Sequence, residues 1–307
     1  MRSLGALDPA FCAADWNAKH PAPWRLSQAD FEAQLADPLL IPQFTGISEE
    51  GFVIGKLSPQ GRLFAGDQTQ TLILNSITDP SLLKEIQQAA LQAGFVRITI
   101  GSDESHLTPG IIKEDFHLAN RLRETAAELG WTKGETLQTD LQRDLRDYVL
   151  PEFCDEAVQA ASAKARPAGA DDESALEAFL TQTFPGRWTY DVMKKFRSGE
   201  AHQIDLLIWQ EEVVGFSMTQ NPASKNPIGG ARWRLDLGEN WGSLGPIGVS
   251  EKVRGRRLGH ALLGLSLQRL SQEGARQTII DWTTLIDFYG VHGFKPARVY
   301  EIWSWGS

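Results

Sequence analysis

Three arginines and two glycines share six consecutive positions, Arg254-Gly255-Arg256-Arg257-Leu258-Gly259, and run directly into the apolar helical pattern His260-Ala261-Leu262-Leu263. Just upstream, Leu244-Gly245-Pro246-Ile247-Gly248-Val249 reads as a short strand. A strand, a glycine turn and a helix start together make an anion site. The first N–H groups of a helix have no intrahelical acceptor, and the helix dipole favours negative charge there. Glycine lets a ligand come close to the backbone. Arginines oppose the dipole of a bare helix N-terminus, so three of them imply that a polyanion belongs in the turn. The chain as a whole has a formal net charge of −9, so this basicity is local.

The elements that must hold this turn alternate between strand and helix patterns. In the N-terminal half, residues 51–57 and 70–75 read as strands, Asp79 and Pro80 as the start of a helix, and Leu82, Leu83, Ile86, Ala89, Ala90 and Ala93 as one face of it. A strand is expected at 96–100, a polar loop at 102–110, a helix at 114–129 and an alternating strand at 137–148. The Ala-rich segment 155–172 is expected to hold the crossover between two halves. Beyond it, Asp171 or Asp172 caps a helix carrying Leu176, Phe179, Leu180 and Phe184, and Pro185-Gly186 ends it. A short helix at 190–196, a hairpin of 204–209 with 213–218, and a Pro/Gly/Asn loop at 221–230 follow. After the central strand and the turn come a helix over 256–272, a strand at 277–282, a helix at 284–291 and a last strand at 298–303. This is an α/β (α+β) pattern with a mixed sheet.

Composition narrows the function classes. With 307 residues the chain is long for a single core, and two domains are expected, 1–150 and 151–307. Hydrophobic residues at 42% and charged residues at 22% fit a globular protein. The acidic balance argues against nucleic-acid or anionic-membrane partners. The two cysteines, Cys12 and Cys154, are far apart and lack metal-ligand spacing, so reduced thiols and no metal are expected. Residues 1–9 lack a long apolar signal region and no run approaches transmembrane length, which points to a cytoplasmic protein, monomer or homodimer. The ten tryptophans are scattered, as core or pocket walls would be.

The halves echo each other. Gly94 separates a helix from a strand, as Gly274 does, and Leu129-Gly130-Trp131 parallels His292-Gly293-Phe294. The N-terminal half has Asn75-Ser76-Ile77-Thr78-Asp79 in place of the Gly/Arg turn, and Asp79 would repel an anion.

Residues 254–259, with the preceding strand and the second signature Phe288-Tyr289-Gly290-Val291-His292-Gly293-Phe294, resemble the GNAT family of acyl-CoA N-acyltransferases. The likeness spans roughly 160–305. The motif glycine is replaced by Arg257. The segments 244–249, 280–283 and 101–110 resemble two-domain members fused to bacterial beta-N-acetylhexosaminidase-type glycosidases. The resemblance implies two tandem GNAT-like domains, the N-terminal one degenerate, and acetyl-CoA as co-substrate. Its pyrophosphate would sit on residues 255–260, with Arg254, Gly255, Arg256, Arg257, Leu258, Gly259, His260 and Ala261 forming the turn. Ile247, Gly248 and Val249 would meet the pantetheine arm. Tyr289 would be the general acid for the departing thiolate. Read from spacing alone, Leu285, Phe288, Tyr289 and His292 are a core stripe.

An amine acceptor must be neutral to attack, and the central strand has no acidic residue. Glu239 and Asp281 are the candidate bases. Asp281 is also compatible with a purely structural role at its strand end, and His202, Asp205 and His260 are weaker alternatives. The leading expectation is an acetyl-CoA-dependent N-acetyltransferase acting on a primary amine of a small molecule, an amino sugar or cell-wall fragment among the options. A Fem-like aminoacyl transferase and a non-catalytic acyl-CoA-binding sensor stay open beside it. The loops around His106 and at 221–230 are candidate pocket rims.

Overall fold

A computed structural model describes residues 7–58, 71–102, 104 and 106–306. Gln70, Asp103, Ser105 and the first six residues, all included in the expectations above, lie outside the described residues. In the N-terminal half, helices α1 (Pro9–Lys19) and α2 (Gln28–Leu35) precede β1 (Gly46–Ile47), β2 (Phe52–Leu57), β3 (Thr71–Ile77), α3 (Leu82–Gln92), β4 (Arg97–Ile100), β5 (Ile111–Ile112), α4 (His117–Glu128) and β6 (Thr132–Asp144). The C-terminal half continues with α5 (Glu152–Ala161), β7 (Lys164–Pro167), α6 (Glu173–Thr183), α7 (Arg187–Lys195), β8 (Ile204–Trp209), β9 (Glu212–Gln220), α8 (Arg234–Leu237), β10 (Trp241–Val249), α9 (Leu258–Gln272), β11 (Gln277–Thr283), α10 (Ile286–Gly290) and β12 (Lys295–Gly306).

The strands form one mixed sheet in the order β1-β2-β3-β4-β12-β6-β11-β10-β9-β8-β7, with β5 pairing β12 off the main path. Each half builds the same unit: an antiparallel pair (β2–β3, β9–β10), then a crossover helix (α3, α9) to a parallel partner (β4, β11). The glycines matched in the sequence take matched conformations. Gly94 and Gly274 follow the crossover helices at φ 86° and 101°, and Gly130 and Gly293 lead into β6 and β12 at φ 78° and 80°. These left-handed positions suit glycine because a Cβ there crowds the backbone.

The last strand of each half is exchanged. β6, from the N-terminal half, pairs antiparallel with β11, and β12, from the C-terminal half, pairs antiparallel with β4. The two exchanged strands also pair with each other. The sheet therefore has no break at the boundary between the halves.

Local chemistry accounts for most elements. On α4, Leu118, Leu122 and Ala126 recur at helical spacing and are all buried. The β8–β9 hairpin turns on Gln210 and Glu211, at φ 52° and 63°, the mirror-image turn that matches strand twist. α9 is apolar almost all round because it lies between the sheet and α5, and at Gly264 a Cβ would come within 2.9 Å of Cys154 Sγ. The Ala-rich segment taken as a crossover is instead α5 and β7. Asp79 accepts from Ser81 N at 2.9 Å and Ser48 Oγ at 2.6 Å, fixing the turn into α3 without capping its first residues.

A shared core joins the halves. Trp24 packs edge-on against Trp233 and Tyr300, with centroids at 5.2 and 5.4 Å. The buried Arg298 guanidinium lies over both tryptophans and donates to Asp236 at 2.6 Å and the Pro23 carbonyl at 2.8 Å. Asp30 on α2 accepts from Arg234 at 2.7 Å and Arg232 at 3.2 Å, tying the N-terminal helices to the C-terminal half.

Because β6 and β12 each complete the other half's sheet, fragments 1–150 and 151–307 expressed separately are expected to be unfolded or aggregated, and to regain structure when co-expressed. Circular dichroism and size-exclusion chromatography check this; a separately folded, monomeric 151–307 would contradict it.

Candidate active site

The site begins where two parallel strands part. β10 and β11 pair through Trp241↔Gln277, Gly242↔Thr278 and Ser243↔Ile279, and no further. β10 is diverted by a register shift against β9 between Leu244 and Ile247, where Gly245 sits at φ 149° and the Gly245–Pro246 peptide is cis. β11 is diverted by a shift against β6 between Ile280 and Thr283. The glycines and the proline seen in the sequence of β10 mark this departure. Between the strands lies a crevice of about 260 Å³, whose lining includes Gly245, Pro246, Ile247, Asp281, Trp282 and Tyr289.

Asp281 lies deep in the crevice, part of its surface open to the cavity. Its Oδ2 accepts from Gly230 N at 3.0 Å, and a Cβ at Gly229 or Gly245 would meet the carboxylate at 2.1 or 3.1 Å. Burial holds the Asp281 carboxyl above the ordinary carboxylate range, with Arg187 opposing the shift. Tyr289, on α10, is buried, and burial together with the Asp281 charge pushes its phenol above the usual value. It is therefore a protonated phenol at neutral pH. Beside Asp281, Trp282 takes φ 48°, rare for a residue with a side chain, and its N–H donates to Asp140 Oδ1 at 3.1 Å. Asp140 is fully buried on β6 and accepts from Tyr300 Oη at 2.6 Å. Burial moves its carboxyl up to about 7, against the Tyr300 hydrogen bond.

A second cavity, about 850 Å³, adjoins the crevice and shares His106, Arg187 and Ile228 with it. Its walls come from both halves: Ala29, Ala33 and Gln34 on α2 and Lys56 on β2 face Arg187, Tyr190 and Asp191 on α7. His106, at φ 55°, approaches Asp191 Oδ1 at 3.2 Å through Nε2 and stacks at 6.2 Å on Trp282. The two loops read as pocket rims from the sequence thus both reach the cavity, through His106 and through Lys225, Asn226 and Pro227.

At the other mouth of the parting strands stands the arginine turn. Gly255 and Arg257 take φ 75° and 59°. Arg257, where the motif has glycine, keeps the left-handed conformation glycine would adopt, so the backbone path survives the replacement. Arg254, Gly255, Arg256 and Arg257 are exposed, and the helix closes its first bond from Ala261 N to Arg257 O at 3.0 Å, leaving the amides of Leu258, Gly259 and His260 at its open end. Arg256 lies over Trp209 and Arg257 over Phe153, at 5.3 and 6.0 Å, while Arg254 pairs with Glu251 at 2.8 Å. Ile247, Gly248 and Val249 form the end of β10 beyond its last pairing with β11.

Two placements correct the sequence reading. Glu239 sits on the exposed turn before β10, at the end of the strand remote from the crevice, and is not brought to Asp281 and Tyr289. His260 turns its ring inward, stacked on Phe288 at 4.3 Å with His292 at 5.5 Å, and burial with the nearby Arg257 lowers its pKa. Asp205 pairs with Arg269 of α9 at 2.9 Å, a structural role, and His202 is exposed. Asp140, Arg187 and Asp191 were not singled out by the sequence, because nothing local places a β6 or α7 side chain beside β11.

A strand pair opening into a crevice, with a basic turn at the head of the following helix, is the arrangement on which comparison with known folds turns. Residues 174–294 match the model of the Acetyltransferase (GNAT) family, which covers most of the C-terminal half. Among solved structures, the chain is similar to a GCN5-related glucosamine N-acetyltransferase region in a fungal multi-domain GH3 beta-N-acetylglucosaminidase (TM-score 0.83, 20% identity, 97% of this chain). The chain spans 37% of that protein's length. It is also similar to a tandem GNAT protein from the clavulanic acid biosynthesis pathway (TM-score 0.58, 13% identity, 97% and 93% of the two chains). A third similar structure is a GCN5-related N-acetyltransferase from Sphaerobacter thermophilus (TM-score 0.59, 14% identity, 96% and 90%). No curated protein sequence matches the chain. These likenesses establish the fold of the whole chain as that of a tandem GNAT, with the family model confined to its C-terminal half. Among the described residues, no helix is long and apolar enough to cross a membrane.

Because Arg257 holds a conformation that costs a side-chain-bearing residue about 1–2 kcal/mol, Arg257→Gly is expected to leave stability unchanged or raise it by up to about 1 kcal/mol. Urea denaturation checks this, and a clear loss of stability would mean that the Phe153 contact outweighs the strain.

Proposed function

We propose that the chain is an acetyl-CoA-dependent N-acetyltransferase whose acceptor is the amine of a small molecule held between the two halves, an amino sugar in the first instance. The observation that carries this reading is the continuity of the Asp281–Tyr289 crevice with the larger cavity through His106 and Arg187. The glucosamine activity named for the fungal region motivates the amino sugar.

The residues present suit the donor. The free amides at the start of α9 and the exposed Arg254, Arg256 and Arg257 offer a polyanion backbone and charge-assisted contacts, and the end of β10 offers an unpaired strand edge to the pantetheine amides. Acetyl-CoA supplies the activated acetyl thioester. Asp281 is the base that takes the proton of the acceptor ammonium. Its raised pKa makes it a better proton acceptor than an exposed aspartate while leaving it ionised above that value. Tyr289 keeps its phenolic proton and holds it at Oη in the crevice for the departing sulfur. His106 lines the passage, Asp191 the larger cavity beside it, and together they orient the acceptor.

Transfer from acetyl-CoA to glucosamine, followed by thiol release, tests this; binding of acetyl-CoA with no transfer to any of a panel of amines would defeat the enzymatic reading. Asp281→Asn is expected to lower kcat by about 10²–10⁴-fold with acetyl-CoA affinity unchanged. Since Asp281 acts ionised, kcat/KM should fall as pH drops through its folded pKa, above the ordinary value of about 4, and Asp281→Asn should lose that limb. Arg257→Glu is expected to weaken acetyl-CoA binding roughly 10–100-fold by titration calorimetry.

A further inference from the structure

The proposed base stands on a distorted piece of strand, and the atom that pins the distortion comes from the other half of the chain. Along β11 and β6 the register pairs Ile280 with Leu141 but Thr283 with Thr139, so that Asp281 and Trp282 together face the single residue Asp140. This is a bulge, with one extra residue on β11. The bulge sets Trp282 at φ 48°, a conformation that disfavours any residue with a side chain. It also carries the Asp281 side chain toward the Gly229–Gly230 turn and the crevice, where Oδ2 accepts from Gly230 N at 3.0 Å. In a regular strand the Trp282 amide would be offered to β6 backbone; in the bulge it would be orphaned in a buried setting.

Asp140 removes that penalty. Its side chain is fully buried, Oδ1 accepts the Trp282 N–H at 3.1 Å and Oδ2 accepts Tyr300 Oη at 2.6 Å. Its two neighbours in this network are on β11 and β12, so Asp140 is held from one side by the exchanged strand of the C-terminal half while it holds the bulge on the other. Among the described residues Asp140 forms no salt bridge: Arg298, the nearby cation, donates through Nη2 to Asp236 and the Pro23 carbonyl and acts on Asp140 only at a distance. A carboxylate buried without a directly bonded cation is costly, and its hydrogen bond to the amide of the bulge gives it a structural task there.

We propose that Asp140 is a positioning residue for Asp281: the N-terminal half, through β6, sets the geometry of the base in the C-terminal half. The inference rests on the N-acetyltransferase reading for its kinetic consequence, but its structural content is independent of that reading.

Two variants separate the possibilities. Asp140→Asn keeps a carbonyl oxygen for the Trp282 amide, and Tyr300 can turn its hydroxyl to accept from the new Nδ2. Asp140→Ala removes the acceptor altogether. The expected result is that Asp140→Ala loses about 100-fold in kcat with the KM for acetyl-CoA unchanged, as a displaced catalytic group would. Asp140→Asn should keep most of the activity. A crystal structure of Asp140→Ala should show Trp282 returned to negative φ and Asp281 withdrawn from Gly230. Asp140→Ala activity close to that of the parent protein would overturn the proposal. So would equal losses in both variants, or a loss of acetyl-CoA binding along with kcat, which would mark a collapse of the fold. If the parent protein transfers no acetyl group to any amine, the proposed function falls while the role of Asp140 is decided by the crystal structure: an unmoved Asp281 in Asp140→Ala overturns it, and a displaced one sustains it.

Discussion

The pairing of β6 with both β11 and β12 is the interaction on which the remainder of the architecture rests. A strand has two hydrogen-bonding edges, and an exposed edge invites association with other chains. Here the last strand of each half occupies the open edge of the other, so twelve strands form one sheet where two smaller sheets would have left four exposed edges. The exchange costs chain entropy, because Lys295–Gly306 must return across the molecule to reach β4 and β5. The shared core of Trp24, Trp233, Tyr300 and Arg298 offsets that cost by burying large aromatic surfaces exactly once, at the boundary between the halves.

The parting of β10 from β11 follows from a different constraint. Parallel strands normally stay paired along their length, since an unpaired buried amide is expensive. Gly245, Pro246 and the bulge at Asp281–Trp282 redirect the two strands, and the glycine turn at 229–230 and Asp140 take up groups that the separation exposes. The N-terminal half shares part of this layout: β3 carries its own register shift against β2, between Ile54 and Gly55 of β2. β3 and β4 pair in parallel from Thr71↔Arg97 to Leu74↔Ile100, and the cavity lined by Leu74, Ile77 and Ile100 is about 30 Å³, room for a water and little more. The cavity beside the parallel pair is thus far smaller in this half than the crevice between β10 and β11.

Much of this was legible in the sequence where the signal is local. The glycines at 94, 130, 274 and 293 marked the internal repeat, and the strand, turn and helix around Arg254–Gly259 lie where their residue types put them. The helices α1 and α2 were missed, because the buried positions Cys12, Ala13 and Trp16, and Phe31 and Gln34, are few and partly polar. β6 was read as starting five residues late: its first turn of sequence, Thr132-Lys133-Gly134-Glu135, is exposed and polar, and only pairing with β12 makes it a strand. The candidate site was half legible. Tyr289 and the turn announced themselves by motif, and Asp281 by its place at a strand end. Asp140 could not be found, because its partners are 142 and 160 residues away, and Glu239 was admitted only because closeness in sequence stood in for closeness in space.

The larger cavity has a further consequence. Its wall on the N-terminal side includes Ala29 and Ala33, small side chains on α2, a helix that packs chiefly against α1. A bulkier residue at either would shorten the chamber while leaving the crevice, the arginine turn and the bulge as they are. The half without an arginine turn is thereby the part of the molecule in which the chamber can be reshaped, while the crevice is lined mostly by residues of the other half.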